Sequence, residues 1–239
     1  MEDRSEATVG AALPGSLFPA EHVARHETAQ RREIVRYGRW LSRLGYAPGT
    51  SGNLSVRLPN GNILVSPTGV SKALLRPSDM VTVDLEGRQL AGARKATSEL
   101  GMHLAVYRLR DDVSAVVHAH PPLATAFACT GRALDEMLCQ EAAMALGPVP
   151  LAVYATTGTA EVAASLEPLI PGHQAILMAN HGAVSYGSSV ADAFYKMETV
   201  EHLAQIRLAV HQLGTPQPLT QRQLEQLVFA RHRYLQNAG

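Results

Sequence analysis

The feature that most constrains this chain is the run Ala115-Val116-Val117-His118-Ala119-His120-Pro121-Pro122. A valine-rich apolar stretch of that length, stopped by two prolines, predicts a strand buried on both faces. Side chains alternate along a strand, so His118 and His120 share a face while Ala119 takes the other. Two imidazoles at the C-terminal end of a buried strand can bind one metal ion. They can equally be hydrogen-bonded core histidines, or a strand end emerging into water. The segment alone leaves these readings open.

The rest of the chain supplies the layers around that strand. Residues 1–19 mix Gly, Pro, Ala and Ser without a period and are expected to form a flexible N-terminal tail. From Ala20 to Leu44 the pattern is helical, with Ile34, Tyr37, Leu41 and Leu44 at three- and four-residue steps and Gly45 where a C-cap belongs. Strands are expected at 53–57, 62–66 and 80–85, joined by turns at Asn60-Gly61 and Pro67-Thr68-Gly69, which makes an antiparallel meander. Helices are expected from Thr97 to Arg110, from Leu123, and over 159–169, 189–213 and 219–231, with further strands at 149–154 and 175–178. There is no repeat and no linker. The pattern predicts one α/β domain over 20–239, a central, largely antiparallel β-sheet with helices on both faces.

Charge and cysteine content narrow the function classes. Lys+Arg and Asp+Glu both number 21, so there is no electrostatic case for nucleic acid or an anionic membrane. No apolar run approaches the roughly 20 residues of a membrane span, and no signal peptide is visible. The two cysteines, Cys129 and Cys139, make neither a zinc-finger spacing nor a disulfide framework. A soluble, cytoplasmic protein is expected.

A third histidine weighs on the opening question. His181 also follows an apolar strand directly, and Gly182 permits a sharp exit or a close backbone approach. If the two strands are sheet neighbours, His118, His120 and His181 converge, and three imidazoles suit a catalytic Zn²⁺ with an open fourth position. Histidines such as His22, His26 and His232 lie in helical or terminal stretches and read as surface residues. Glu99 opens a helix, where the macrodipole alone explains a carboxylate; the functional reading is a general base beside the metal. His103, one turn later, can orient Glu99 or simply fill space. Three loops, Thr50-Ser51-Gly52-Asn53, Ser66-Pro67-Thr68-Gly69 and Thr97-Ser98, combine hydroxyls, an amide and glycine N–H groups that can bind phosphate, though each singly is also an ordinary turn. Neither a Walker lysine nor a G-x-G-x-x-G accompanies them, so no nucleotide is implied. Lys72 could add a charge to these loops, but reads first as a solvated lysine.

Taken in order, Gly-Thr-Ser-Gly-Asn-Leu-Ser-Val-Arg at 49–57, Ser-Pro-Thr-Gly at 66–69, Thr-Ser-Glu at 97–99 with His103, His-Ala-His-Pro-Pro at 118–122 and Asn-His-Gly at 180–182 resemble the class II aldolase/adducin family. The resemblance covers about residues 30–215, and within the family it is to the L-fuculose-1-phosphate aldolases. It implies Zn²⁺, with Mn²⁺ or Co²⁺ as substitutes, on His118, His120 and His181, and Glu99 as the catalytic acid/base. It implies substrate phosphate held by Gly52, Asn53, Thr68, Gly69, Thr97 and Ser98, and a homotetramer with active sites at subunit interfaces. The implied reaction is reversible cleavage of a ketose 1-phosphate to dihydroxyacetone phosphate and an aldehyde through a metal-stabilised enediolate. Such a base needs a pKa nearer neutrality than a free glutamate's, which burial can provide.

The family's epimerases carry Asp where this chain has Glu99, and the Tyr154–Thr159 stretch is aldolase-like. The tyrosine that the fuculose enzymes use to protonate the aldehyde oxygen has no match, since counting from His120 lands on Cys139; Tyr234 is the alternative. A sugar-acid phosphate decarboxylase, a pentulose-phosphate epimerase, a zinc hydrolase and a non-catalytic adducin-like module are the other readings.

Overall fold

A computed structural model describes residues 20–237, with side chains between 21 and 230. The expected tail over 1–19 and the side chain of Tyr234 lie outside the described residues. Helix α1 (Ala20–Arg43) turns Ile34, Tyr37 and Leu41 inward, as their spacing demands. It ends at Gly45, whose φ is +76°. The N–H groups of Gly45 and Tyr46 donate back to the carbonyls of Ser42 and Leu41 at 3.1 and 2.8 Å. This pairing satisfies carbonyls the helix end would leave free, and it needs a residue that tolerates positive φ. Leu44, expected on the buried stripe, falls past the helix end and is exposed.

Strands β1 (Asn53–Arg57), β2 (Ile63–Val65) and β3 (Val81–Val83) form the expected meander, and β4 (Gln89–Ala91) extends it. Helix α2 (Leu100–Leu109) leads into β5 (Ala115–Ala119), the buried strand read from the sequence. Two short helices follow, α3 (Pro122–Cys129) and α4 (Gln140–Ala145). Strand β6 (Leu151–Ala152), helix α5 (Ala160–Leu166) and strands β7 (Ala175–Met178) and β8 (Gly182–Gly187) complete the sheet. Helices α6 (Val190–Leu213) and α7 (Gln221–Asn237) close the described chain.

The eight strands run in the order β4-β3-β2-β1-β5-β8-β7-β6, and every neighbouring pair is antiparallel except β6 and β7. Alternation along β5 sorts its side chains between two cores. Ala115, Val117 and Ala119 pack with residues of α1, α3 and α6, whereas Val116 packs with residues of α2 and α5. By the same alternation His118 projects to the α2 face. The expected layering, helices on both faces of a largely antiparallel sheet, is what the chain forms.

One sheet relation differs from expectation. The strands before His120 and His181 are not neighbours, because β8 lies between them. The sequence reading ends a strand at Asn180-His181-Gly182; Asn180 and His181 lie in the turn of the β7–β8 hairpin, and Gly182 opens β8. All six residues of β8 are buried, and its glycine ends resemble a loop exit. Register still brings the histidines together, since Ala183 pairs with Ala119 and Val184 with His118.

The sharp turn after His120 has its own support. Glu201 of α6, 3% exposed, accepts the N–H groups of Leu123 at 3.1 and 3.0 Å and of Ala124 at 2.9 Å, at the start of α3. A buried carboxylate there satisfies helix-end donors that have no intrahelical partner. Glu201→Ala leaves those donors unpaired and is expected to lower the unfolding free energy by about 2–3 kcal/mol, read by urea denaturation.

Candidate metal centre and active site

Each histidine of the cluster is held by a different local device. His118 is fully buried, and its Nδ1–H donates to the Ala183 carbonyl at 2.9 Å. That bond selects the tautomer whose Nε2 lone pair faces away from β8. The backbone N–H of His120 donates at 2.7 Å to the carbonyl of Tyr46, the residue set by the end of α1. His181 sits in the hairpin turn beside Asn180, whose φ of +56° makes it the one non-glycine residue with positive φ among those described. Asparagine tolerates that conformation better than most residues. Gly182 is required for room: a Cβ there would lie 2.5 Å from His120 Cδ2 and 2.6 Å from the Ala119 carbonyl oxygen.

The result is a convergent donor set. The Nε2 atoms of His118 and His120 are 3.0 Å apart. One ring nitrogen from each of His118, His120 and His181 lies within 4.8 Å of the others, so the three could hold a metal ion. Burial drives the His118 imidazole below its ordinary pKa, and it drives His120 down to about 3, with the neighbouring imidazoles adding to the effect. A cation binds an imidazole through a deprotonated ring nitrogen, the form that burial favours at His118 and His120.

Glu99 closes this cluster. It is the residue just before α2 rather than in its first turn, and its side chain makes no bond to that helix. Its Oε1 is 3.1 Å from His181 Nε2, and its Oε2 is 3.3 Å from His118 Nε2. The helix dipole is therefore not what places this carboxylate. Burial pushes the Glu99 carboxyl up, but His118, His181 and the Asn53 amide outweigh it and hold it below the usual carboxylate range. The expected shift toward neutrality is not found, because three polar groups face the ionised form.

Behind Glu99 runs a buried polar chain. Asn53 Nδ2 donates to Glu99 Oε2 at 2.7 Å, and Asn53 Oδ1 meets His103 Nε2 at 2.5 Å. His103 Nδ1 meets Ser55 Oγ at 2.7 Å, and Ser55 Oγ meets the Tyr107 hydroxyl at 2.8 Å. Burial drives His103 down to about 3, so its ring is neutral. The carboxylate only accepts, which fixes every direction: His103 Nε2–H donates to Asn53, Ser55 donates to His103 Nδ1, and Tyr107 donates to Ser55. Register explains the alignment, because Asn53 pairs with His118 and Ser55 with Val116, placing both on the α2 face. His103 thus orients the Glu99 partner rather than filling space. His103→Leu frees Asn53 to turn and is expected to lower kcat about 10- to 100-fold, with a rise in KM because Asn53 also belongs to the phosphate-loop group, measured by steady-state kinetics on metal-loaded protein.

The phosphate-loop residues form a second group. A bridge between Pro67 and Ala96, with bonds from Thr68 N to Lys95 O at 3.1 Å and Thr97 N to Ser66 O at 3.2 Å, joins two of the loops. Thr68, Gly69 and Ser98 are exposed there, while Gly52, Asn53 and Thr97 are buried. Gly52 has φ +71°, and a Cβ on it would stand 3.0 Å from the His118 carbonyl oxygen. Asn53 Nδ2 keeps a second N–H beyond the one given to Glu99. Lys72 corrects the sequence reading: it is 1% exposed, not solvated.

Two further residues bear on the site. Thr157, inside the Tyr154–Thr159 stretch, donates its hydroxyl to Glu99 Oε1 at 3.1 Å. The sequence marks that stretch but not which residue in it reaches the carboxylate. Cys139 is the half-buried residue before α4 and lines a groove with Tyr46, Glu198 and His202.

The layered sheet and the histidine-carboxylate cluster define a known class. The chain belongs to the class II aldolase and adducin family: the profile of the Class II Aldolase and Adducin N-terminal domain matches residues 32–208. It is 36% identical over 200 residues to the 5-deoxy-D-ribulose 1-phosphate aldolase of Bacillus thuringiensis serovar kurstaki, covering 83% of this chain and 93% of that protein. It is 37% identical over 188 residues to the 3-oxo-tetronate 4-phosphate decarboxylase of Escherichia coli (strain K12), covering 77% and 88%. A solved L-fuculose 1-phosphate aldolase superposes with a TM-score of 0.81 at 32% identity, covering 85% of this chain and 96% of that one.

Proposed function

We propose that this chain is a metal-dependent aldolase that reversibly cleaves a ketose 1-phosphate to dihydroxyacetone phosphate and an aldehyde. The observation that carries the reading is Glu99, with its oxygens 3.1 and 3.3 Å from ring nitrogens of two of the three clustered imidazoles. The donor set of His118, His120 and His181 suits Zn²⁺, with Mn²⁺ or Co²⁺ as substitutes. A cation there supplies Lewis-acid stabilisation of the negative charge that develops on the ketone oxygen.

The remaining work falls to the chain's own groups. Glu99 accepts a proton from the carbon that becomes nucleophilic in the synthetic direction and returns it on cleavage. With a cation held by the three imidazoles, burial and the Asn53 and Thr157 bonds would bear on the proton affinity of Glu99. The Asn53 and Thr157 bonds hold the carboxylate in place. Gly52, Asn53, Thr68, Gly69, Thr97 and Ser98 bind the phosphate, whose remote binding energy fixes the reacting carbon against Glu99.

The Escherichia coli relative supports a second reading, decarboxylation of a phosphorylated 3-oxo acid, which also needs charge stabilised beside a carbonyl. Incubating metal-loaded protein with dihydroxyacetone phosphate and a panel of aldehydes separates the two. New ketose 1-phosphate in the NMR spectrum is the expected result. No condensation with any aldehyde, together with CO₂ release from a 3-oxo acid phosphate, would replace the aldolase reading.

The proposal extends to a cytoplasmic homotetramer with active sites at subunit interfaces. Val153 and Tyr154, beside the Thr157 loop, are 74% and 66% exposed and suit burial by a partner copy. Cys129 and Cys139 are both free, as a reducing compartment would keep them.

A further inference from the structure

Lys72 lies between the 49–53 and 66–70 loops with its charge enclosed. Its Nζ donates to the Val70 carbonyl at 2.7 Å and to the Thr50 carbonyl at 3.3 Å, which leaves one of three donors over. The stem packs under α1, where the absent side chain of Gly38 makes room: a Cβ there would lie 3.8 Å from Lys72 Cβ. A lysine beside apolar surface normally carries its head out to water, and this one does not. Burial lowers its pKa to about 8, and no carboxylate contributes to the balance. An enclosed cation without a counter-charge is unfavourable unless something anionic completes it. The two loops whose carbonyls it touches are those that carry Gly52, Asn53, Thr68 and Gly69.

We propose that Lys72 is a substrate-positioning residue whose ammonium, set beneath these two loops, is the positive charge that completes the phosphate site. The proposal rests on the reading that the loops bind phosphate. It separates Lys72 from the neutral hydroxyl and N–H donors around it: they give the anion its orientation, and Lys72 gives it a field in a low-dielectric setting. The ammonium also ties two loops together, so the test must part charge from tethering.

Lys72→Gln keeps an N–H donor for the carbonyls and removes the charge; Lys72→Met removes both. The zinc-loaded full chain is titrated with inorganic phosphate, and binding is followed by calorimetry and by the phosphate-induced rise in Tm. Both variants are expected to need roughly tenfold more phosphate than wild type, or still more. Loss of affinity in Lys72→Met alone would show a tether and overturn the proposal. Phosphate affinity within about twofold of wild type in both variants would overturn it too, while leaving the phosphate loops standing. A wild-type chain that does not respond to phosphate would remove the phosphate-loop reading and Lys72 with it.

Discussion

Glu99→Gln is expected to keep its metal and lose about 100- to 10,000-fold in kcat. Glutamine matches glutamate in shape and can still accept the Asn53 N–H, so the cluster's packing is preserved. What disappears is a group that can take and return a proton. The three imidazoles do not depend on Glu99 for their placement: His118 is set by Ala183, His120 by Tyr46, and His181 by the β7–β8 turn. Metal content and turnover should therefore separate, with metal analysis unchanged and steady-state rate collapsed. A variant with near wild-type kcat would show that Glu99 is not the base.

Gly182→Ala is expected to damage fold and site together. The added methyl would stand 2.5 Å from the His120 ring and 2.6 Å from the Ala119 carbonyl oxygen. His120 can swing aside only by leaving the cluster, and the Ala119 carbonyl belongs to a strand whose pairing with β8 includes Ala119 and Ala183. The expected loss is about 3 kcal/mol of unfolding free energy, with metal affinity falling about 10- to 100-fold. Gly101→Ala is the control, since a Cβ there meets nothing within 4 Å in the first turn of α2. It is expected to leave stability unchanged or to raise it by less than about 1 kcal/mol. Denaturation and metal titration on both variants check this; equal behaviour would mean Gly182 is not a packing requirement.

Much of this site is readable in the chain because its chemistry sits next to punctuation. His118 and His120 end against Pro121 and Pro122, His181 sits against Gly182, and Thr97 and Ser98 precede Glu99. These local signals mark strand ends and a helix start, which are where side chains can converge. What escapes the sequence is non-local. Strand β8 is hidden because Gly182 and Gly187 frame it and Asn180 closes a hairpin in a left-handed conformation. The polar chain from Glu99 to Tyr107 draws on residues 53, 55, 99, 103 and 107, and only the pairing of Asn53 with His118 puts its two halves on one face. Lys72 and Glu201 are charged residues whose burial depends on loops and helices arriving from elsewhere, so composition alone assigns them to water. The Glu99 carboxyl shifts opposite to the burial argument because the groups facing it are set by β1, β5 and the hairpin turn.

The central claim is that His118, His120 and His181 together grip one divalent cation beside Glu99. Its most direct test is metal content per chain, by mass spectrometry of the loaded and dialysed protein, for wild type and a His120→Ala/His181→Ala variant. The account predicts one equivalent of zinc on wild type and none retained by the variant. A folded wild-type chain that emerges metal-free, or a variant that keeps its full equivalent, would contradict it.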